Sequence, residues 1–248
     1  MTRFTTQVCV LDTGSSLVDE HILLSSCREN QRAVRIPILA YLIRTEDSTV
    51  LVDTSFDNPE RPDLKAAGYE RAPGQELIAQ LKKADAELDD IDVVVNTHLH
   101  EDHCGNNKLF RNSRFLVQKE ELRHAFVPDD NEKDSNGPFY KRIDFDYPLN
   151  YDAITGDYAV TKGVQLISTP GHTAGHQSVV VELDDRNFVI ASDAVFVERN
   201  WKDAELPGLL YDPRSYVRSI TRLKSVKNAF VYFSHDMDFF ARSPREFS

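Results

Sequence analysis

The sequence predicts an α/β fold, read as one domain over residues 1–248. Two observations carry this reading. Short apolar runs rich in Val and Ile recur between turn-forming residues, the mark of buried strands. Among them lie segments whose apolar residues recur at helical spacing. A third observation places the chemistry: the principal histidine motifs follow apolar runs, so they fall on loops at strand ends, where sites in such folds are commonly built.

Taken in order, "QVCVLDTG" (7–14), "RIPILAYLI" (35–43) and "STVLVDTSF" (48–56) read as strands separated by turns. Residues 73–85, "PGQELIAQLKKAD", carry Leu77, Ile78 and Leu81 at helical spacing, with Pro73 near the start. "DIDVVVNTH" (90–98) and "SRFLVQ" (113–118) are buried strands, and "KEELRHAF" (119–126) is a helix. Residues 128–155 are polar, punctuated by Pro and Gly, and read as irregular. So long a loop in a compact domain points to function. It is expected to be a cap or substrate loop that offers Phe139, Tyr140, Phe145, Tyr147 and Tyr151 to a pocket. Strands resume at "GVQLIST" (163–169), "QSVVVEL" (177–183) and "NFVIAS" (187–192), followed by a helix near 213–225 and a strand "AFVYFS" (229–234).

Composition narrows the function classes. With 41% hydrophobic and 28% charged residues the chain can bury a sizeable core. A net charge of −11 disfavours nucleic acid and anionic membranes as partners. No apolar run is long enough to span a bilayer, and the N-terminus lacks a signal-peptide core, so a cytoplasmic protein is expected. Three cysteines are too few, and odd in number, for a disulfide framework. Cys104 adjoins the histidine cluster and is read as a small buried residue, because better ligands surround it.

That cluster is "VNTHLHEDHCGN", residues 95–106. If the strand persists to residue 100, His98 and His100 point to one face while Leu99 points to the core. Asp102 and His103 follow as the chain turns. Six residues thus offer four ligands, more than one tetrahedral ion with an open position can readily take. Two adjacent ions could use them. Further ligands stand at other strand exits: His172 in "STPGHTAGHQS", Asp193 in "VIASDAV" and His235 in "VYFSHDMD". An ionised aspartate ending an apolar strand needs a charge or hydrogen-bond partner. His176 is assigned to packing or to support of a ligand, and His21 and His124 to the surface or core edge. Asp53, in "VDTSF", is a candidate for fixing an imidazole tautomer or else a turn residue.

The motif H-x-H-x-D-H, a Gly-His turn, an Asp and a late His, in that order, resemble the metallo-β-lactamase superfamily. The resemblance implies a four-layer αβ/βα sandwich with a two-metal site at one edge. One metal would be held by His98, His100 and His172, the other by Asp102, His103 and His235, with Asp193 between them. "RIPILAYLI", "VVVNTHLHEDHCGN", "LISTPGHTAGHQSVVVEL" and "SHDMDFFARSPREF" are most similar to the N-acyl homoserine lactonase group, which includes γ-butyrolactone and 4-pyridoxolactone hydrolases. Many lactonases carry a tyrosine three residues after the bridging aspartate, held to contact the substrate; here that position is Phe196. Tyr140, Tyr211 or a backbone amide are candidates to replace its hydroxyl.

The expected function is therefore a dinuclear-metal hydrolase, a lactonase opening a small lactone by attack of a hydroxide shared between two divalent ions. Zinc suits the ligand set; iron, cobalt and manganese are also admitted. Asp102 and Asp193 are the expected catalytic carboxylates, Asp102 passing a proton to the leaving oxygen. The alternatives are a glyoxalase-II-like thioesterase or other ester hydrolase, and, in a different class, a non-catalytic metal- or signal-binding module. The first would normally add a basic C-terminal region, absent here; a lost ligand would favour the second, and none is lost. The substrate ring, native metal and oligomeric state are not encoded legibly.

Overall fold

A computed structural model describes residues 5–29, 32–128 and 139–248. Its strands are β1 (Gln7–Asp19), β2 (Ala33–Arg44), β3 (Thr49–Val52), β4 (Val93–Val95), β5 (Arg114–Gln118), β6 (Asn150–Ile154), β7 (Tyr158–Thr161), β8 (Val164–Ser168), β9 (Gln177–Glu182), β10 (Asn187–Ile190), β11 (Ala229–Tyr232) and β12 (Glu246–Phe247). The helices are α1 (Glu20–Leu23), α2 (Pro62–Ala66), α3 (Leu77–Lys83), α4 (Glu101–Cys104), α5 (Lys119–Phe126), α6 (Arg142–Phe145), α7 (Glu198–Lys202), α8 (Pro213–Lys224) and α9 (Met237–Arg242). Among the described residues these strands form a seven-stranded sheet, β12-β1-β2-β3-β4-β5-β6, and a five-stranded sheet, β11-β10-β9-β8-β7.

The period-two alternation of strands builds the layers. Tyr41, Ile43, Val50, Val52, Val93 and Val95 point between the sheets, onto Val164, Leu166, Val179, Val181, Phe188 and Ile190. The intervening Leu42, Leu51 and Val94 point outward and are covered by Leu77 and Leu81 of α3. Tyr216, Ile220 and Leu223 of α8 cover the second sheet. Helix, sheet, sheet, helix is the four-layer αβ/βα sandwich expected. The valine run of β4 is apolar throughout because both its faces are buried. α8 starts where the sequence "DPRS" directs: Asp212 accepts from the Arg214 and Ser215 amides, with Pro213 in the first turn.

Several expectations are corrected. The helix expected over 73–85 runs only from Leu77 to Lys83. Gly74 has φ +86°, and the Gln75 and Glu76 side chains take backbone amides of Ala72 and Gly74, which holds 72–76 as a turn. β4 ends at Val95 and not near residue 100, because the Thr97 and Leu99 amides donate to Asp53 and Glu121 rather than to a neighbouring strand. The segment 128–155 is not irregular: α6 and the whole of β6 lie in it, β6 pairing in parallel with β5. Residues 129–138 of that segment fall outside the described residues. Phe145 is fully buried, and Tyr147 and Tyr151 donate to the Ile143 and Phe145 carbonyls, so these three hold the segment together rather than facing a pocket. His124 is buried, with its ring 5.0 Å from that of Tyr211, so of its two expected placements the surface is the one that fails.

Gly171, just before His172, has φ +144°, and a Cβ there would lie 2.4 Å from Tyr216 Cα in α8. Helix and loop touch backbone to backbone. Gly171→Ala is expected to destabilise the metal-free protein by about 1–3 kcal/mol, measured by denaturant unfolding; an unchanged midpoint contradicts the close approach.

Candidate metal centre

The seven side chains expected from the sequence meet at one place. His98 and His100 come from the loop after β4, and Asp102 and His103 from α4 directly after it. His172 lies in the turn after β8, Asp193 in a short 3-10 turn after β10, and His235 just beyond β11. Both sheets therefore deliver potential ligands from neighbouring strand ends. All seven are buried or nearly so.

Three groups of potential ligand atoms lie within 4.8 Å of one another: His98, His100 and His172; His98, His103 and Asp193; Asp102, His103 and His235. His100 Nδ1 is 3.1 Å from both His98 Nε2 and His172 Nε2. Asp193 stands between the two sides of the cluster. Its Oδ2 lies 3.2 Å from His172 Nε2 and 3.7 Å from His98 Nε2. Its Oδ1 lies 3.0 Å from His235 Nε2 and 3.4 Å from His103 Nε2. Asp102 Oδ2 is 3.5 Å from His103 Nε2 and 3.9 Å from His235 Nε2.

On four of the five histidines the far ring nitrogen is tied, that of His98 to the Thr97 hydroxyl at 3.2 Å, which aims the near one; His100 Nε2 makes no hydrogen bond among the described residues. His103 Nδ1 is 2.8 Å from Asp53 Oδ2, His235 Nδ1 3.0 Å from the Pro37 carbonyl, and His172 Nδ1 3.3 Å from the Leu209 carbonyl. Asp53 is in turn held by the Thr97 amide and hydroxyl, both at 2.7 Å. It thus does orient an imidazole, as one of its two readings expected. His103 Nε2 and Asp193 Oδ1 are buried and make no hydrogen bond among the described residues. Two polar atoms left so are costly unless something fills the space they face.

The electrostatics agree. Burial, reinforced by neighbouring imidazoles, holds His98 and His100 well below the ordinary histidine range, in the neutral form that metals bind. Burial also opposes charge on His103, but Asp102, Asp193 and Asp53 outweigh it and push the ring up to about 10. Burial opposes ionisation of Asp193, and His235, His103 and His172 outweigh that, holding it well below the usual carboxylate range. Carboxylates that draw a proton onto a buried imidazole would draw a metal cation equally. The orphaned atoms and the nitrogen-oxygen donor set fit divalent metal.

An apolar cleft opens over the cluster. Val18, Ile22, Leu23, Ile36, Tyr69, Phe139, Phe196 and Leu209 line it beside His100, Asp102, His172, Asp193 and His235. Phe196 is 2% exposed, its ring 5.1 Å from that of His172. Tyr140 sits with its ring 4.8 Å from that of His100, but its hydroxyl donates to Glu121. Tyr211 lies beside the site through its amide, which donates to the His172 carbonyl at 3.1 Å. His176 packs 5.3 Å from the His98 ring and is in none of the three ligand groups. Cys104 is buried and donates to the Leu99 and His100 carbonyls, as a packing residue does.

Sequence reasoning missed Tyr69, Glu121 and the wall from β1 and α1. Tyr69 follows a glycine in a turn, and Glu121 sits in a charged helix; neither position carries a signal that distinguishes it from a surface residue. The Tyr69 hydroxyl is raised well above its ordinary range by burial and by Asp102 and Glu101.

Comparison with known proteins agrees with this geometry. Residues 33–235 match the family model of the metallo-beta-lactamase superfamily. The chain is 31% identical over 241 residues to an N-acyl homoserine lactonase of Bacillus thuringiensis, covering 92% of each chain. It is 29% identical over 263 residues to an N-acyl homoserine lactonase of Rhizobium rhizogenes, covering 94% of each. Among solved structures it is similar to an N-acyl homoserine lactone hydrolase with the product N-hexanoyl-L-homoserine bound at its catalytic metal center. That match has TM-score 0.86 and 27% identity, with 97% of each chain covered. With five histidines and two aspartates gathered at the strand ends of an αβ/βα sandwich, this chain belongs to the metallo-beta-lactamase superfamily.

Proposed function

We propose that this protein is a dinuclear-metal lactonase acting on acyl homoserine lactones or related small lactones. The observation that carries the proposal is Asp193, whose two carboxylate oxygens face two separate imidazole groups. In this reading His98, His100 and His172 hold one ion, Asp102, His103 and His235 the other, and Asp193 serves both. Zinc is the proposed metal. Bound there, divalent metals would polarise a lactone carbonyl and lower the pKa of water.

The chain's own residues supply the rest. Val18, Ile22, Leu23 and Ile36 form an apolar wall that excludes water and accepts an aliphatic or ring portion of a substrate. Phe139, from the segment proposed as a cap, reaches the same cleft. Asp102, whose side chain is 13% exposed, is the more open of the two carboxylates and faces the cleft, where it can hold a proton for the departing alkoxide. Phe196 presents a ring and no donor at the cleft.

The test of function is a hydrolysis panel with metal-loaded protein: short and long acyl homoserine lactones, γ-butyrolactone, an aromatic lactone, a thioester, a phosphodiester and a β-lactam. Lactones are expected to lead; a thioester turned over faster than every lactone contradicts the reading. Elemental analysis after purification without chelator should find two metal equivalents per chain, and one equivalent that added metal does not raise contradicts the dinuclear assignment. Asp193→Asn and Asp102→Asn should each lose more than about 10²-fold in kcat/KM, the scale of removing a transition-state charge partner, while remaining folded by circular dichroism. A folded, metal-replete and fully active variant removes the role of that aspartate. Phe196→Tyr should shift the relative rates on the lactone panel, because it places a donor at the cleft. Changes within about twofold throughout, roughly 0.4 kcal/mol, would mean that residue 196 does not meet the substrate.

A further inference from the structure

Glu121 is completely buried on α5, outside every ligand group. Four donors close on its two oxygens. Oε1 accepts from the Leu99 amide at 3.0 Å and the Tyr140 hydroxyl at 2.9 Å. Oε2 accepts from the Thr173 hydroxyl at 2.7 Å and the Gly175 amide at 3.0 Å. Leu99 lies between His98 and His100, and Thr173 follows His172. Three of the four donors therefore belong to the two loops that carry the first proposed metal's imidazoles, loops 72 residues apart in sequence at His100 and His172. Glycine at 175 permits this approach: a Cβ there would lie 2.1 Å from the Glu121 amide nitrogen.

The other group is braced elsewhere. Asp53 holds His103 through Nδ1, and through the Thr97 hydroxyl, which lies 3.2 Å from His98 Nδ1, it reaches the first group as well. None of Glu121's hydrogen bonds reaches Asp102, His103 or His235.

We infer that Glu121 is a positioning residue for one metal site alone, that of His98, His100 and His172, whereas Asp53 braces the other through His103 and also reaches His98 through Thr97. The inference rests on the dinuclear reading above. Its chemistry is specific to a carboxylate: all four partners donate, and an ionised Glu offers about four acceptor positions. Glutamine keeps the shape but turns an NH2 group toward two of those donors, so one pair of bonds is lost. The Tyr140 bond adds the proposed cap to the same brace, and it is the one contact of the four that does not bear on a ligand loop.

The experiment is zinc titration against a chromophoric chelator, on wild type, Glu121→Gln, Asp53→Asn, the double variant and Tyr140→Phe, with unfolding of each metal-free protein followed in parallel. Wild type should take up two zinc ions tightly. Glu121→Gln should keep one at wild-type affinity and bind the other about 10–100-fold more weakly, the usual cost of removing a group that orients a ligand. Asp53→Asn should weaken the ion of Asp102, His103 and His235 and, through Thr97 and His98, the first ion as well, so that the selective loss is peculiar to Glu121→Gln; the double variant should hold neither tightly. Tyr140→Phe should keep both. Two tight zincs in Glu121→Gln, equal weakening of both, or a double variant no worse than either single one overturns the inference and leaves the dinuclear reading standing. A wild type with a single zinc overturns both. Should Glu121→Gln not fold, Thr173→Val removes one of the four bonds and carries the test: one zinc weakened severalfold supports the assignment, and two unchanged zincs overturn it.

Discussion

An ionised carboxylate shut away from water must be met by charge or by donors, and the geometry of this site is organised around that requirement at Asp193. The residue is 3% exposed. One of its oxygens faces imidazoles from the loops after β4 and β8, and the other faces imidazoles from α4 and from the chain beyond β11. No single strand could bring these groups together. Two sheets packed face to face, with β4 ending near β8, β10 and β11, can. The sandwich is thus the means by which side chains far apart in sequence surround one carboxylate.

The loops around the site are short and under constraint. Asp53, Ser55 and Ser192 have φ of 60°, 62° and 48°, the left-handed region that residues with a Cβ seldom enter. Such conformations persist where the surroundings over-determine them. At Asp53 this is plain, since its carboxylate is engaged by Thr97 and His103. Ser192 hydrogen-bonds the same Thr97 hydroxyl, at 2.9 Å, which joins the loop of Asp193 to that of His98. Buried polar groups hold the ligand loops, and the apolar core between the sheets holds the strands that launch them. The two networks are distinct: a change in the core should act on stability, and a change in the polar braces on metal affinity.

Much of this was legible in the sequence, because the relevant signals are local. Alternating apolar runs located most of the strands, and the dense H-x-H-x-D-H motif and the isolated His172, Asp193 and His235 marked the side chains that the fold gathers at one place. What was not legible depends on contacts across the fold. The helix expected from residue 73 begins at Leu77 because side chains of Gln75 and Glu76 cap a turn, a choice that periodicity does not register. β6 lies in a polar segment because it is an edge strand, whose burial pattern lacks the continuous apolar run of β4. Glu121 was invisible for a similar reason. In "KEELRHAF" it is one more charge on a helix, and only the folded chain turns it inward against two loops. Tyr140 and Tyr211, named as hydroxyl donors, stand beside the site, yet Tyr140 spends its hydroxyl on Glu121; Tyr69, unmarked in the sequence, lines the cleft instead.

In the dinuclear site proposed above two ions flank Asp193, and anomalous diffraction at the zinc edge from crystals of the zinc-loaded protein locates them. Two anomalous peaks are expected, one among His98, His100 and His172 and one among Asp102, His103 and His235, with a carboxylate oxygen of Asp193 directed at each. A single peak at full occupancy, or a second peak away from Asp102, His103 and His235, would contradict the dinuclear site.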